Sequence, residues 1–561
     1  MNIIDWIVLF GTLLSIVIYG VYKTRGSQNI ESYLLGDKSM KWWTIGLSVM
    51  ATQASAITFL STPGQAFEDG MRFIQFYFSL PLAMVVLSVT VIPLYYRLKV
   101  YTAYEYLETR FDLKTRTLAA LLFLIQRGLA AGITIYAPAI ILSSILGWPL
   151  TLTNLIIGLL VIIYTVSGGT RAVSQTQKQQ MAVMMGGMVV ALLVLIWKLP
   201  EGIGFSEAVE VAGNMGKLHL VDLSLDFEDR YTLWSGMLGS FFLFLSYFGT
   251  DQSQVQRYIS GKSITESRLG LLMNGLVKIP MQFLILFIGA MVFVFFQFYQ
   301  PPVFFNEAVK EKIVHTVEGE QLAELEEEFT AVFLEKRETL AQALRQEGAL
   351  ARELYTKAEL LQEKEDAIRM EVKEVIVAAD PLAEPKDTDY VFITFIMNYL
   401  PHGLIGLLLA VIFSAAMSST AGELNALAST TTVDIYKRSI KKEASEVHYL
   451  QSSKLFTVLW GLLAIAFATY ATLLDNLIEA VNILGSLFYG SILGIFLVAF
   501  YIKRVKSNAV FYAALLAEAF VVICYFTTDL AFLWLNPLGC GVVIILGLLF
   551  QELENRKKVK R

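Results

Sequence analysis

Ala51-Thr52-Gln53-Ala54-Ser55-Ala56-Ile57-Thr58 interrupts an apolar run that extends from Trp42 to Ala66. A run of that length crosses the roughly 30 Å hydrocarbon core of a bilayer as a helix. Small and hydroxylated residues at its centre let the backbone unwind and present carbonyl oxygens, which lipid tolerates only where they line a cavity. A second candidate, Phe244-Leu245-Ser246-Tyr247-Phe248-Gly249-Thr250-Asp251-Gln252, lies five apolar runs further on. Transporters often bind cargo at helices broken near the midplane, one in each of two inverted repeats. Small-residue runs also mark close helix packing, so the matched five-run spacing of a five-plus-five repeat carries the reading.

The rest of the chain supports a membrane frame. Of 561 residues, 55% are hydrophobic and 17% charged, against about 25% charged in soluble domains, and the mean hydropathy is +0.58. Spanning-length apolar runs fall near 3–22, 42–66, 73–97, 117–146, 150–168, 179–199, 232–256, 268–299, 389–433, 453–474, 477–503, 507–527 and 530–550. They predict thirteen transmembrane helices. Every second connection is basic, from Lys23 and Arg25 after the first run to the tail Arg556–Arg561, which predicts the N-terminus outside and the C-terminus inside. The first run is too long for a signal h-region and lacks a basic segment before it and an Ala-x-Ala cleavage site, so it reads as a retained helix rather than a signal peptide. Cys524 and Cys540 both lie in apolar runs and imply no disulfide framework.

The frame divides the chain into helices 1–8 over 1–301, an insertion at 302–388, helices 9–13 over 389–552 and a basic cytoplasmic tail at 553–561. The insertion carries 21 acidic and 11 basic residues, a net of −10 against +5 for the remainder. Its leucines recur at three- and four-residue steps, predicting a helical hairpin that turns near Gln346-Glu347-Gly348 outside the membrane. It reads either as a solvated insertion, which surface loops tolerate easily, or as the docking element for an unknown partner.

Ser414-Ala415-Ala416-Met417-Ser418-Ser419-Thr420 sits within the ninth run. Adjacent hydroxyls in a membrane helix supply oxygen without fixed charge, which suits a hard monovalent cation. The alternative is that they bond back to their own helix or pack against a neighbour.

Four ordered motifs resemble the sodium:solute symporter family, whose members include sodium/glucose, monocarboxylate, multivitamin and iodide cotransporters. They are Ser32–Trp43, Gly168-Gly169-Thr170-Arg171-Ala172-Val173, Tyr247–Arg257 and Val433-Asp434-Ile435-Tyr436-Lys437. The resemblance covers nearly everything except 302–388. It implies an all-α membrane protein of the leucine-transporter type, with core helices 2–6 and 7–11. It also implies Na+ bound by the carbonyls of Ala51, Ala54 and Ala415 and the hydroxyls of Ser418 and Ser419. Some relatives hold a second Na+ through hydroxyls one turn further on and an Asp after the Gly-Gly motif. Here those places read Ala421, Gly422 and Gln177, so one Na+ per cycle is expected.

Matching family sugar sites places substrate contacts at Thr58, Tyr247, Lys278 and Asn482, joined on the broken stretch by Gln53 and Ser55. Phe244 and Ile57 replace polar residues that such sites use, which argues against a hexose, because an unpaired buried hydroxyl costs about 1–3 kcal/mol. Ile92–Leu98, Tyr104–Phe111 and Ile135–Ala139 resemble the monocarboxylate, multivitamin and iodide branch. Arg127 and Lys278 lie within spans, and a buried cation must find an anion or lose its charge; for Lys278 a structural role is the alternative. The expected activity is therefore Na+-coupled import of a small organic anion by alternating access at the plasma membrane, or at the inner membrane of a Gram-negative cell. A neutral-solute symporter and a transporter-derived sensor are the alternatives. Nothing points to nucleic acid. His219, His315, His402 and His448 are scattered, and neither His-Glu-x-x-His nor Gly-x-Ser-x-Gly occurs, so no enzyme is expected.

Overall fold

The computed structural model describes residues 1–24, 38–314, 316, 318–381, 383, 385–470 and 477–559. The first part of the Ser32–Trp43 motif lies outside the described residues. The protein is all-helical, with no β-strand among the described residues and only an isolated bridge between Met40 and Gly261. Among the described residues, nine helices are long and apolar enough to cross a membrane, and Ile3–Ile16, Leu150–Val166 and Ser235–Gly249 form shorter apolar helices.

Helix α1 spans Ile3–Thr24. The run that opens the sequence argument becomes α2 (Trp42–Gln53) and α3 (Ala56–Asp69), parted at Ala54 and Ser55. After a 3₁₀ segment over Gly70–Tyr77 come α4 (Leu80–Leu98) and α5 (Leu113–Leu146). The second candidate break is equally plain. Helix α7 (Ser240–Gly249) ends, and α8 (Gln252–Ile259) begins with Asp251 as its N-cap. The Asp251 side chain accepts from Ser253 N at 2.8 Å, and its charge lies at the favourable positive end of the α8 dipole. Helix α9 covers Ile264–Phe298.

Two expectations need correction. The fifth and sixth runs were expected to be two separate helices; they remain separate apolar stretches, Leu150–Val166 and Thr176–Trp197, but helical hydrogen bonding continues between them as α6 over Leu150–Trp197. Tyr164 Oη meets Thr176 Oγ1 at 2.5 Å, whereas twelve residues of straight helix advance about 18 Å. The axis therefore turns back between those residues while the backbone remains helically bonded. The ninth run, expected to be one helix, is two: α12 (Val391–Tyr399) and α13 (Leu404–Thr430). Pro401 has no amide hydrogen to continue the helix, and Gly403 sits at φ +88°, a conformation that suits glycine.

The insertion forms α10 (Gly319–Ala343) and α11 (Gly348–Ala379), with Gly348 at φ +69° in the expected turn. Phe333 and Tyr355 are buried with the expected apolar face, whereas Leu350 is exposed. Helices α14 (Glu446–Ala468), α15 (Leu477–Tyr501), α16 (Ser507–Thr527) and α17 (Leu535–Val559) complete the chain.

Candidate functional site

The break between α2 and α3 frees two carbonyls. In a continuous helix Ser55 N would donate to Ala51 O and Thr58 N to Ala54 O. Instead Ser55 N donates to Gln53 O at 3.1 Å and Thr58 N to Ser55 O at 3.0 Å. Ala51 O is met across the gap by α13, where Ser418 Oγ donates to it at 3.2 Å. One residue further on, Ser419 Oγ donates to Ala415 O at 2.9 Å and to Ala416 O at 3.3 Å. Ser418 thus reaches across to the broken helix, while Ser419 takes the back-bonded geometry that ordinary helix packing would give. All five expected ligand residues are buried. Together they provide neutral oxygen donors with rotatable hydroxyls, a set that fits a monovalent hard cation.

The neighbouring position that would hold a second cation has different chemistry. Gln177 accepts from Ser48 Oγ and donates Nε2 to Thr52 Oγ1 at 3.1 Å and to Ser418 O at 3.3 Å. The fully buried Arg257 guanidinium donates to Ser174 Oγ at 3.3 Å and lies against Gly422, where Nη2 would be 2.8 Å from an added Cβ.

A cavity of about 80 Å³ opens beside the break. Its walls include six of the seven expected substrate residues: Gln53, Ser55, Thr58, Arg127, Tyr247 and Asn482. Gln53 Oε1 and Asn482 Nδ2 are buried without a hydrogen-bond partner. Lys278 does not line the cavity. It is fully buried behind Tyr77, with Nζ 5.6 Å from that ring's centroid and no hydrogen-bond partner. Tyr77 and Phe76 from the 3₁₀ segment and Tyr489 from α15 also form the walls, and sequence reasoning missed all three. Tyr489 carried a readable signal, a phenol within an apolar run, since buried phenols seek partners.

Arg127 is held by four groups. Nη1 donates to Glu423 Oε1 at 3.0 Å, and Nη2 bonds Asp251 Oδ2 and Tyr489 Oη. The guanidinium also lies 5.3 Å from the Tyr247 ring centroid. Tyr489 Oη in turn donates to Asp251 Oδ2 at 2.9 Å, and Ser246 Oγ donates to Tyr489 O at 2.8 Å. One cation and two carboxylates therefore tie α5, the α7–α8 break, α13 and α15 together at the cavity wall. Glu423 lies four residues, one turn, beyond Ser419, so this ion-pair network shares a helix with the hydroxyl pair.

The sodium:solute symporter family model matches residues 33–323 and 373–517. The chain belongs to this family. Na+ is accordingly the coupling ion of this symporter. The symporter is 26% identical to the sodium/sialic acid symporter SiaT of Proteus mirabilis over 97% of this chain and 94% of that protein. It is 27% identical to the sodium-coupled monocarboxylate transporter 1 of Mus musculus over 88% of this chain and 68% of that one. Its fold matches the substrate-bound outward-open state of a Na+-coupled sialic acid symporter, with a TM-score of 0.77 at 24% identity and 98% of each chain covered. Most of the hairpin, residues 324–372, falls between the two matched segments.

Proposed function

We propose that the protein imports a small organic anion with one Na+ per cycle, and that Ala51 O, Ala54 O, Ala415 O, Ser418 Oγ and Ser419 Oγ hold that ion. The observation that carries the reading is the contact of Ser418 Oγ with Ala51 O at the point where α2 loses its helical hydrogen bonds. The Gln177 amide, which lacks the charge of the Asp expected for a second site, and the Arg257 cation beside Gly422 support a single Na+. The cavity at Gln53, Ser55, Thr58, Arg127, Tyr247 and Asn482 is the substrate site in this reading. Its volume of about 80 Å³ is well below the roughly 300–1,000 Å³ of ligand pockets. Substrate entry therefore requires the walls to part, as alternating access demands. Lys278, buried behind Tyr77 without an anion, makes no direct contact with the substrate in this reading.

The same reading has thirteen spans, an outside N-terminus and an inside C-terminus. It places the hairpin outside the cell and the protein in the plasma membrane, or in the inner membrane of a Gram-negative cell. Anionic cargo is supported by the sialic acid and monocarboxylate relatives. A second reading, a neutral solute, is favoured by one observation: Arg127 already faces two carboxylates.

Vesicle uptake with the purified protein tests both. Uptake that persists when K+ replaces Na+ would overturn Na+ coupling. Charge movement separates the substrates. With 100 mV and a tenfold Na+ gradient, one Na+ concentrates a neutral solute on the order of 500-fold but a monoanion only about tenfold. Uptake of an anion with no current supports the first reading, and a voltage-driven current carried by a neutral solute supports the second.

A further inference from the structure

On the far side of the hydroxyl helix from α2 lies a second, larger cavity of about 510 Å³. Trp6 and Leu13 of α1, Trp148 beyond the end of α5, Val161 of α6, and Ala416 and Met417 of α13 mark its extent, and every side chain that lines it is apolar except for the indole nitrogens. An apolar cavity of about 150 Å³ stays dry and accepts benzene; this one is more than three times larger. Water gains no hydrogen-bond partners there, and an empty space of this size would sacrifice the dispersion contacts of its whole lining.

Position identifies what fills it. Phe10, Leu14, Leu159 and Ile163 on the flanking helices are exposed and apolar, so the cavity is continuous with the surface that α1 and α6 present to lipid. From Trp6 to Leu13 the α1 side of the cavity advances about 10 Å, about a third of the roughly 30 Å hydrocarbon core. Trp6 and Trp148 stand near the helix ends, the depth at which membrane-interface tryptophans collect. The cavity therefore starts at the interface and runs through much of one leaflet, the depth that an acyl chain occupies.

We propose that this cavity binds one acyl chain of a bilayer phospholipid, and that the chain supports the turn of α13 that presents the Na+ ligands. Ala416 and Met417 form part of the cavity wall, while Ala415 and Ser418, the residues on either side of them, face the broken helix. A hydrocarbon chain against Ala416 and Met417 holds this turn toward Ala51 O. Removing it lets the turn relax outward and weakens the cation cage. This coupling rests on the proposed Na+ site; occupancy of the cavity does not.

The test uses the full chain extracted in mild detergent. Native mass spectrometry should find one tightly retained phospholipid per chain, absent in a variant carrying Leu142→Phe and Ile156→Phe, which narrows the cavity from the lipid side. Equal lipid retention in the two proteins, or a retained molecule that is not a phospholipid, overturns the proposal. A second measurement reconstitutes the protein into vesicles containing phospholipid brominated in mid-chain. The quenching contributed by Trp6, read as the difference from Trp6→Phe, should be small while the co-extracted phospholipid is still bound and should appear after delipidation. Equal quenching in the two preparations means ordinary surface lipid only and overturns the site. Delipidation should raise the half-saturating Na+ concentration severalfold, with recovery on adding phospholipid; no change overturns the coupling. Ser418→Ala should retain the phospholipid. If Ser418→Ala also leaves the Na+ requirement unchanged, the sodium-site reading fails while the lipid site stands.

Discussion

Ser418 and Ser419 are adjacent in sequence but do different work. Ser419 Oγ is satisfied within its own helix, whereas Ser418 Oγ depends on Ala51 O across the break. Ser418→Ala should therefore raise the half-saturating Na+ concentration by about tenfold, the equivalent of about 1.4 kcal/mol, and Ser419→Ala by less. The Na+ dependence of vesicle uptake measures both, and equal effects would put the two hydroxyls on the same footing. Arg127 offers a second test at this scale. Arg127→Met leaves Asp251 and Glu423 buried without their cation, and breaking such a pair costs about 3–5 kcal/mol. Glu423→Gln leaves the Arg127–Asp251 pair intact and should lower the thermal midpoint far less. The Ser418 position was legible because hydroxyls stand out in an apolar run. Asp251 as a partner for Arg127 was not, since 124 residues separate them and only the folded core brings the α7–α8 break to α5.

Both helix breaks were legible, for a reason that belongs to elements rather than residues. A cluster of small and polar side chains inside an apolar run has few ways to satisfy its backbone in lipid except by lining a cavity. The bend in α6 was not legible as a helical one, because Gly-Gly signals weak helix propensity without saying whether the hydrogen bonds continue. The split at Pro401 escaped because the run remains apolar on both sides. How tightly the broken helix packs also depends on partners that sequence does not name. At Gly289 in α9, an added Cβ would stand 2.2 Å from Pro63 O of α3. Backbone, not a movable side chain, blocks it, so Gly289→Ala must push α3 and α9 apart. Overpacking of this kind costs about 1–3 kcal/mol. The expected result is a lower thermal midpoint in detergent and slower uptake, and an unchanged midpoint would mean that α3 moves freely against α9.

At the scale of the molecule, the hairpin is more than a solvated loop. Ile313, Phe329, Ile368 and Val372 belong to a small apolar core of its own, while Leu340 and Tyr355 join the main core. Tyr355 Oη donates to Glu210 Oε1 at 3.1 Å, and Thr388 O packs against Gly64 of α3. Its helical periodicity was readable from the leucines. Its attachment was not, because a Glu-rich face looks solvated whether or not it docks. Between α10 and α11 a buried ion pair joins Lys336 to Glu365, and Lys336 Nζ also donates to Gln362 Oε1 at 2.7 Å. Burial pushes the Glu365 carboxyl up and the Lys336 ammonium down, each against its charged form. The pair therefore contributes less than its geometry suggests, because desolvation offsets the attraction. Removing one partner is different: Lys336→Met strands a buried carboxylate and should destabilise the hairpin by about 3–5 kcal/mol, whereas Lys336→Met with Glu365→Leu should be near neutral or stabilising. Protease resistance of the hairpin in the intact protein reads the local effect, and a thermal scan reads the global one. If the hairpin loosens while uptake is unchanged, it is stability equipment; if uptake falls in step with protease sensitivity and recovers in the double variant, its contact with α3 takes part in the transport cycle.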